Sequence, residues 1–237
     1  MGKCLVDIHT HILPGVDDGS ASVEESIRLL SELSKQGVTT VAATPHFYAD
    51  RDDPGSFFGR RQKAYDLLKE KTGSDITVLT GAEVCYYPGI SQTKELRDFS
   101  IGGTGLLLLE MPFYDWTSSV INEVISISRV RRLQVVIAHI DRYLGTKSTK
   151  YIDELSRAGV MFQLNASSLA DKRLRGASLK LIKKQIVSFV ASDCHNMETR
   201  PPQLGEAYEV IENKLGSGYI EWLYDNSAEF FEGVTGE

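Results

Sequence analysis

The sequence has neither an excess of positive charge nor a long hydrophobic run. Its 26 basic and 32 acidic residues give a net charge of -6, whereas a nucleic-acid surface is normally basic. No stretch approaches the roughly 18 apolar residues of a membrane-spanning helix, and the N-terminus lacks the basic flank and apolar core of a signal peptide. We therefore expect no nucleic-acid partner, no membrane insertion and a cytoplasmic location.

Cysteine is also scarce. The three cysteines, Cys4, Cys85 and Cys194, are odd in number and lie far apart, which argues against a disulfide framework and against zinc-finger spacing. Reduced thiols are the expected state.

Linkers, internal repeats and low-complexity segments are missing too, and the apolar fraction of 42% is ordinary for a globular protein. We expect a single domain over residues 1–237.

Short β-rich runs alternate with amphipathic stretches along the whole chain. The runs are apolar without clean alternation, which is typical of parallel strands covered by helices. About seven such units favour a closed or nearly closed β/α barrel. An open, doubly wound sheet has the same local pattern and is the alternative fold. The predicted strands lie near residues 5–8, 38–43, 76–83, 106–110, 134–139, 160–164 and 187–191.

Helix signals stand between these runs. Val23, Ile27 and Leu30 share the i, i+4, i+7 spacing of one helix face, and Ser22 and Gly37 are typical of a helix start and stop. The polar segment 47–61 predicts a mobile loop beside the functional site. The aromatic-rich C-terminal stretch predicts closing helices.

All five histidines follow predicted strands, and three acidic residues occupy the same kind of position. In a β/α barrel these strand ends converge on the rim that carries active sites. A lone histidine after a strand is more often structural, but a purely structural explanation does not suit the whole set. Imidazoles and carboxylates together suit manganese, iron or zinc, and Glu83 or Glu110 could bridge two ions. The set is His9, His11, His46, Glu83, Glu110, His139, Asp193 and His195.

Two arginines at related offsets favour a phosphate substrate. Arg142 follows His139 by three residues and Arg200 follows Asp193 by seven; the planar guanidinium fits phosphate oxygens. A pair of metal ions polarises a phosphoryl oxygen and supplies a hydroxide nucleophile near neutral pH. Asp17 and Asp18 follow a Pro-Gly turn. They are either a turn or helix-cap pair, or one is a metal ligand or a proton donor to the leaving oxygen.

The motifs "DIHTHILPGVDDGS", "TPH", "AHIDRY" and "SDCHNMETRPP" resemble the PHP (polymerase and histidinol phosphatase) family. More narrowly, they are similar to its CpsB/YwqE-type protein-tyrosine phosphatases of bacterial capsule and exopolysaccharide systems. The match spans nearly the whole chain. It implies a distorted (β/α)7 barrel of the PHP type that holds three divalent metal ions, with manganese expected and iron or zinc as alternatives.

The resemblance also implies individual roles. The first ion would be held by His9, His11, Glu83 and Asp193; the second would share Glu83 and take Glu110 and His139; the third would involve His46 and His195. Asp18, Arg142 and Arg200 would be the catalytic and phosphate-contacting residues. The implied substrate is phosphotyrosine in the C-terminal tail of a partner bacterial tyrosine kinase. Its phosphoric monoester would be hydrolysed by attack of a metal-bound hydroxide.

Three alternatives stand beside this interpretation. Cys194 and Arg200 have the C-x5-R spacing of cysteine-dependent tyrosine phosphatases, but no glycine lies between them to shape a phosphate cradle. Another PHP enzyme, such as a histidinol-phosphate phosphatase or a nuclease, would share the metal chemistry. A non-catalytic, metal-filled scaffold for a kinase is the third.

Overall fold

The computed structural model describes residues 5–72 and 76–234, so that Cys4 and the two chain ends lie outside the description. Strands and helices alternate along the chain. The strands are β1 (Leu5–Thr10), β2 (Val38–Ala43), β3 (His46–Phe47), β4 (Thr77–Thr80), β5 (Glu83–Cys85), β6 (Leu106–Glu110), β7 (Gln134–Ile137), β8 (Met161–Asn165) and β9 (Phe189–Ala191). The helices are α1 (Val23–Lys35), α2 (Pro54–Lys69), α3 (Ser118–Arg131), α4 (Ile152–Arg157), α5 (Ser167–Ala170), α6 (Arg175–Lys183), α7 (Leu204–Leu215) and α8 (Ser217–Phe231).

The strands form a curled, wholly parallel sheet with seven strand positions. β3 continues β2 and β5 continues β4, and the positions follow one another in chain order from β1 to β9. The sheet returns to its first strand, because Thr10 pairs with Cys194. Backbone hydrogen bonds of 2.9 Å run from His11 N to Cys194 O and from Asp193 N to His9 O. The predicted distorted barrel of seven β/α units is confirmed.

Two local predictions were wrong. The run 76–83 is two strands, β4 and β5, because Ala82 N donates to Phe99 O at 3.1 Å and not to the neighbouring strand. The segment 47–61 is not one irregular loop, since α2 begins at Pro54. The Asp53 side chain accepts a hydrogen bond from Ser56 N at 3.1 Å, and proline is favoured at the first helical position. The Asp-Pro pair was therefore a helix-start signal.

The predicted start of α1 is confirmed. The Ser22 hydroxyl accepts a hydrogen bond from Glu25 N at 3.2 Å, and the helix ends at Lys35, two residues before Gly37, which has a φ of +86°. The expected apolar face is only partly buried, because Ile27 is 37% exposed. The C-terminal stretch forms α7 and α8, as predicted. No helix among the described residues is long and apolar enough to cross a membrane.

Alternation along the strands sends polar residues into the mouth of the barrel. Leu106 and Leu108 of β6 belong to the apolar cluster inside the barrel, whereas Leu107 and Leu109 pack in the layer between sheet and helices. Successive side chains of a strand point to opposite faces. Glu110, the next residue in the inner series, is therefore carried into the barrel mouth, where it is buried.

Candidate metal centre and active site

All eight predicted ligands lie together at the carboxyl ends of the barrel strands. Four of them lie in the strands β1, β3, β5 and β6, and the other four lie in the turns after β1, β7 and β9. Seven of the eight are buried, and the side chain of His46 is 13% exposed. The eight are His9, His11, His46, Glu83, Glu110, His139, Asp193 and His195.

The deepest group joins β1 to the segment after β9. The Nε2 atoms of His9 and His11 are 3.2 Å apart. Asp193 Oδ1 lies 3.4 Å from each of these nitrogens. Glu83 Oε2 lies 3.2 Å from the His9 nitrogen and 3.4 Å from the His11 nitrogen. Two nitrogens and two carboxylate oxygens therefore face one small volume.

The Nδ1 atoms of His9 and His11 have their own hydrogen-bond partners, which lie outside this group. His9 Nδ1 lies 3.1 Å from Gln163 Oε1, and His11 Nδ1 lies 2.6 Å from Asp17 Oδ2. Since both partners are hydrogen-bond acceptors, both Nδ1 atoms carry a proton. Burial alone would lower the pKa of His11, but hydrogen bonds with Asp17, Asp193 and Glu83 raise it, and a bound cation would take the place of the second proton, on Nε2. This is the arrangement that orients metal-binding histidines in proteins.

Two carboxylate oxygens of this group have no hydrogen-bond donor. Within the described residues, Glu83 Oε2 and Asp193 Oδ1 are buried and have no hydrogen-bond partner, which a native structure tolerates only with an explanation such as an ion. Ligand atoms of a tetrahedral site with bonds of about 2.1 Å lie roughly 3.4 Å apart. The observed separations fit a shared cation.

Glu83 and Glu110 connect this group to the strands β6 and β7. His139 Nε2 lies 2.7 Å from Glu83 Oε1 and 3.3 Å from Glu110 Oε1, and His46 Nδ1 lies 2.9 Å from Glu83 Oε2. Burial alone would lower the pKa of His139, but hydrogen bonds with Glu110 and Glu83 raise it to about 9. The two oxygens of Glu83 thus face different histidines, although Oε2 and His46 Nδ1 make no hydrogen bond with each other. A carboxylate in this position could hold two ions.

A third group lies nearer the solvent. Asp18 Oδ1 is 3.5 Å from Nε2 of His46 and 3.5 Å from Nε2 of His195. Burial, reinforced by the neighbouring His11 and Arg200 side chains, lowers the pKa of His195 to about 4. His195 is therefore neutral, and its Nε2 lone pair accepts a hydrogen bond from Arg200 that a cation in this group would displace. Three sets of side chains could hold a metal ion: His9, His11 and Asp193; His46, Glu83 and Glu110; and His11, Asp18, His46 and His195.

The two predicted arginines meet at a single carboxylate oxygen. Arg142 Nη2 and Arg200 Nη2 donate to Asp193 Oδ2 at 3.2 and 2.7 Å. Arg142 also donates to Glu110 Oε1 at 3.1 Å, and Arg200 Nη1 donates to His195 Nε2 at 2.6 Å. Their side chains are 32% and 35% exposed. Both guanidinium groups therefore lie between the buried ligands and the solvent.

The structure separates the two aspartates that the sequence left equivalent. The side chain of Asp17 is only 7% exposed, and it also accepts a hydrogen bond from His46 N at 2.9 Å. Burial alone would raise the Asp17 pKa, but the hydrogen bond with His11 holds it well below its usual range. Asp18 is 67% exposed and faces the third group. Asp17 thus orients a histidine, whereas Asp18 lies at the mouth.

Sequence reasoning missed Gln163 and Asn165 on β8. They occupy alternate positions of a strand whose intervening residues, Phe162 and Leu164, pack outside the barrel. This period of two was the available signal, but amides are not recognised as ligands or catalysts by residue type. Both are buried.

Two site residues hold an uncommon backbone conformation. His139 has a φ of +35° and Asp193 a φ of +53°, in the left-handed region that side chains other than glycine rarely adopt. Such conformations persist where the surrounding structure imposes them and cluster at functional sites. Both positions turn a ligand candidate into the barrel mouth.

A cavity of about 510 Å³ opens beside the third group. The Tyr48 ring lies 5.2 Å from the His46 imidazole, and the Arg51 guanidinium lies 4.7 Å from the centre of the Tyr48 ring. The cavity therefore has an aromatic wall next to candidate ligands. Its lining consists of Val16, Asp17, Asp18, His46, Tyr48, Arg51, Asp52 and Arg60.

Cys194 does not support the cysteine-dependent alternative. Its side chain is fully buried in the layer outside the barrel, and burial raises the pKa of its thiol, so that the nucleophilic thiolate is disfavoured. Arg200 is bound to Asp193 and His195. Cys85 and Cys194 are both free, as expected for the described cysteines.

Known proteins share both the sequence and the fold. The tyrosine-protein phosphatase YwqE of Bacillus subtilis strain 168 is 32% identical over 232 residues, covering 94% of this chain and 90% of YwqE. The tyrosine-protein phosphatase CpsB of Streptococcus agalactiae serotype V is 29% identical over 237 residues, with coverages of 95% and 97%. Such relatives favour neither a histidinol-phosphate phosphatase, nor a nuclease, nor a non-catalytic scaffold.

A solved structure agrees with these matches. It comes from work on YwqE from Bacillus subtilis and CpsB from Streptococcus pneumoniae, described as unique metal-dependent tyrosine phosphatases. It matches with a TM-score of 0.83 and 29% identity, covering 98% of this chain and 96% of that one. The family model for capsular polysaccharide synthesis, CpsB/CapC, matches residues 5–232. The chain therefore belongs to the CpsB/CapC family.

Proposed function

We propose that this protein is a metal-dependent protein-tyrosine phosphatase that hydrolyses phosphotyrosine monoesters. One observation carries the proposal: a buried group of imidazole nitrogens and carboxylate oxygens is in contact with two partly exposed arginines. The first feature calls for cations and the second for an anion. The relatives named tyrosine-protein phosphatases supply the substrate class.

The residues present fit divalent metal ions. We infer three ions, held by His9, His11, Glu83, Glu110, His139 and Asp193 in the interior and by His46 and His195 nearer the solvent. The donors are imidazoles and carboxylates without a thiolate, which suits manganese, with iron and zinc as alternatives. Bound divalent ions would neutralise phosphoryl charge and make water nucleophilic near neutral pH.

The arginines bind the phosphoryl group. Arg142 and Arg200 each have donors on the solvent side of Asp193, and guanidinium forks match phosphoryl oxygens. Their anchorage to Asp193 Oδ2 keeps both groups in place before the substrate arrives. Charge that shifts onto the phosphoryl oxygens during reaction then meets oriented donors, the arrangement that lowers a barrier most.

Asp18 acts at the exposed side of the site. Its carboxylate lines the cavity and lies 3.5 Å from His46 and His195. That position serves transfer of a proton to the leaving phenolate oxygen and also retention of a cation. The substrate's aromatic ring fits the adjoining cavity, whose wall includes Tyr48 and Val16.

The matched family supports a proposal for the biological substrate. We infer that the phosphotyrosine lies in the C-terminal tail of a bacterial tyrosine kinase of capsule or exopolysaccharide synthesis, and that the enzyme works in the cytoplasm as one domain spanning residues 1–237. The matched family concerns capsular polysaccharide synthesis.

The test is hydrolysis of phosphotyrosine peptides by the purified protein before and after chelation. We expect activity that a chelator abolishes and manganese restores, with histidinol phosphate hydrolysed far more slowly. Faster hydrolysis of histidinol phosphate would overturn the substrate assignment.

Cys194→Ser separates the two phosphatase chemistries. We expect this variant to keep most of the rate, because the thiol is buried away from the site, whereas His9→Ala should be inactive. A metal-stripped protein that stays active, and that loses activity with Cys194→Ser, would contradict the metal-dependent mechanism.

A further inference from the structure

Strand β8 supplies none of the eight ligand candidates, yet two of its buried amides touch three of them. Gln163 Oε1 accepts hydrogen bonds from His139 N at 2.7 Å and from His9 Nδ1 at 3.1 Å. Gln163 Nε2 donates to Asn165 Oδ1 at 2.9 Å. Asn165 Nδ2 in turn donates to Asp193 Oδ2 at 2.9 Å. A continuous hydrogen-bonded chain thus crosses the floor of the site.

The direction of this chain is fixed at both ends. A backbone N–H can only donate, so Gln163 must turn its oxygen toward His139 and its NH₂ group toward Asn165. An ionised carboxylate can only accept, so Asn165 must turn its NH₂ group toward Asp193. Reversing either amide would set donor against donor or acceptor against acceptor. The tautomer of His9 follows: its proton is on Nδ1.

We propose that Gln163 and Asn165 are positioning residues of the metal centre. Gln163 fixes the tautomer and ring orientation of His9, so that Nε2 presents its lone pair to the group it shares with His11. Asn165 holds Oδ2 of Asp193, so that Oδ1 faces the same group. This inference rests on the proposed function only in requiring that the site binds a divalent ion.

The same network links the metal centre to the phosphate-binding side. Asp193 Oδ2 receives the Asn165 amide and also the guanidinium groups of Arg142 and Arg200. One oxygen therefore sets the direction of a ligand and the position of two phosphate donors. Removing the amide frees the carboxylate to rotate toward the arginines, which draws Oδ1 away from His9 and His11.

Titration calorimetry with Mn²⁺ alone tests the role of Gln163. Loss of such an outer partner typically weakens metal binding by about 10–100-fold, and we expect this for Gln163→Leu. Gln163→Glu keeps an acceptor for His9 and His139, so it should bind Mn²⁺ more tightly than the leucine variant. A mere packing role predicts the opposite order, because a buried carboxylate costs more than a buried aliphatic chain.

A matched control lies at the other end of the barrel. The Gln134 amide donates to Gly159 O at 2.7 Å, far from the strand ends that carry the ligands. Gln134→Leu makes the same chemical change there and should leave Mn²⁺ affinity unchanged. Asn165→Leu should weaken Mn²⁺ binding while leaving the His9 tautomer as in the wild type.

A second readout needs neither metal nor activity. Long-range ¹⁵N–¹H correlation spectra of the metal-free protein report which His9 nitrogen carries the proton. We expect Nδ1–H in the wild type and in Gln163→Glu, and a mixture of tautomers in Gln163→Leu. A wild-type His9 protonated on Nε2 would overturn the proposal even if Gln163→Leu does not fold, as would wild-type Mn²⁺ affinity in Gln163→Leu or Asn165→Leu. Lack of phosphatase activity would leave these readouts intact.

Discussion

Arg142 and Arg200 share one anionic anchor, and each keeps part of its fork free. Their charges are balanced by Asp193, with Glu110 as a further partner of Arg142. A phosphoryl group arriving from the solvent side therefore meets donors that need little reorientation. Donors that are already oriented stabilise the charge that develops in the transition state, and this contributes more to the rate than substrate affinity alone.

Replacing either arginine should reduce turnover without removing the metals. For Arg142→Met and for Arg200→Met we expect kcat/KM for a phosphotyrosine peptide to fall by roughly 10²–10³, the usual cost of losing one oriented donor. Arg173→Met is the control, because Arg173 is 89% exposed and pairs with Asp171 at the surface. Metal content should be the same in all three variants. Near-wild-type rates for both site variants would show that Arg142 and Arg200 do not contribute to catalysis.

Asp7 is a buried acid beneath the site. Its Oδ1 accepts a hydrogen bond from Ser192 N at 3.0 Å, whereas Oδ2 has no hydrogen-bond partner among the described residues. Burial raises the pKa of Asp7 from 3.8 to about 6, against hydrogen bonds with Ser192 that lower it. Between these two values the folded protein holds a proton that the unfolded chain has lost. The contribution of Asp7 to the free energy of unfolding therefore decreases as the pH rises through this window.

Asp7→Asn should remove that pH dependence. We expect the variant to gain stability relative to the wild type as the pH rises from 4 to 7, by up to about 3 kcal/mol for a shift of roughly two pKa units. Urea unfolding of both proteins in the presence of a chelator, at several pH values, measures the difference. Parallel pH profiles for the two proteins would show that Asp7 is ionised in the folded state.

The turn between β1 and α1 is the element that builds the mouth of the site. His11 O accepts the backbone hydrogen bond of Ser20, and Asp17 accepts one from Gly19 N at 3.0 Å. A Cβ atom at position 19 would overlap the backbone oxygen and the Cβ of His11. Glycine is thus required by close approach, and the turn places Asp17 on His11 and Asp18 in the cavity.

Gly19→Ala should damage the metal centre through this turn. We expect weaker Mn²⁺ binding and lower stability, because the new methyl group must push His11 away from Asp17. Gly59→Ala is the control: this glycine is inside α2, an added Cβ meets none of the described atoms within 4 Å, and alanine should stabilise the helix by about 1 kcal/mol. Calorimetry and thermal melting measure both effects. Unchanged Mn²⁺ affinity in Gly19→Ala would show that the turn adapts.

On the scale of the molecule, the metal centre joins strands that meet only when the barrel closes. Ligand candidates come from the first strand and from the segment after the last one, and these two are held together by the pairing of Thr10 with Cys194. The unfolded chain has no such site. Metal binding and folding are therefore coupled.

The melting temperature should consequently depend on metal. At a Mn²⁺ concentration of about 100 times Kd, the ligand adds roughly 2.7 kcal/mol, which corresponds to an increase of about 5–10 °C for a protein of this size. Differential scanning calorimetry with chelator and with Mn²⁺ measures it. His9→Ala should show a smaller increase. Equal melting temperatures with and without metal would exclude a structural contribution of the ions.

Much of the site could be predicted because its chemistry is local in the sequence. Strand ends are recognisable from apolar runs, and histidines and acidic residues at those ends predict a metal site by their residue types alone. The barrel followed from the alternation of strands and helices. The start of α2 at Pro54 also has a local signal, the Asp53-Pro54 pair. The polar composition of the segment nevertheless favoured the prediction of a loop.

The sequence by itself determined which side chains stand at the strand ends, and hence the kind of centre that this protein can build. Only the tertiary structure decided which of Asp17 and Asp18 orients a histidine and which faces the solvent. It also decided that Gln163, 154 residues from His9 in the chain, sets the tautomer of that histidine. The physical reason is that hydrogen-bond direction depends on the partner, and the partner is brought close only when the barrel closes.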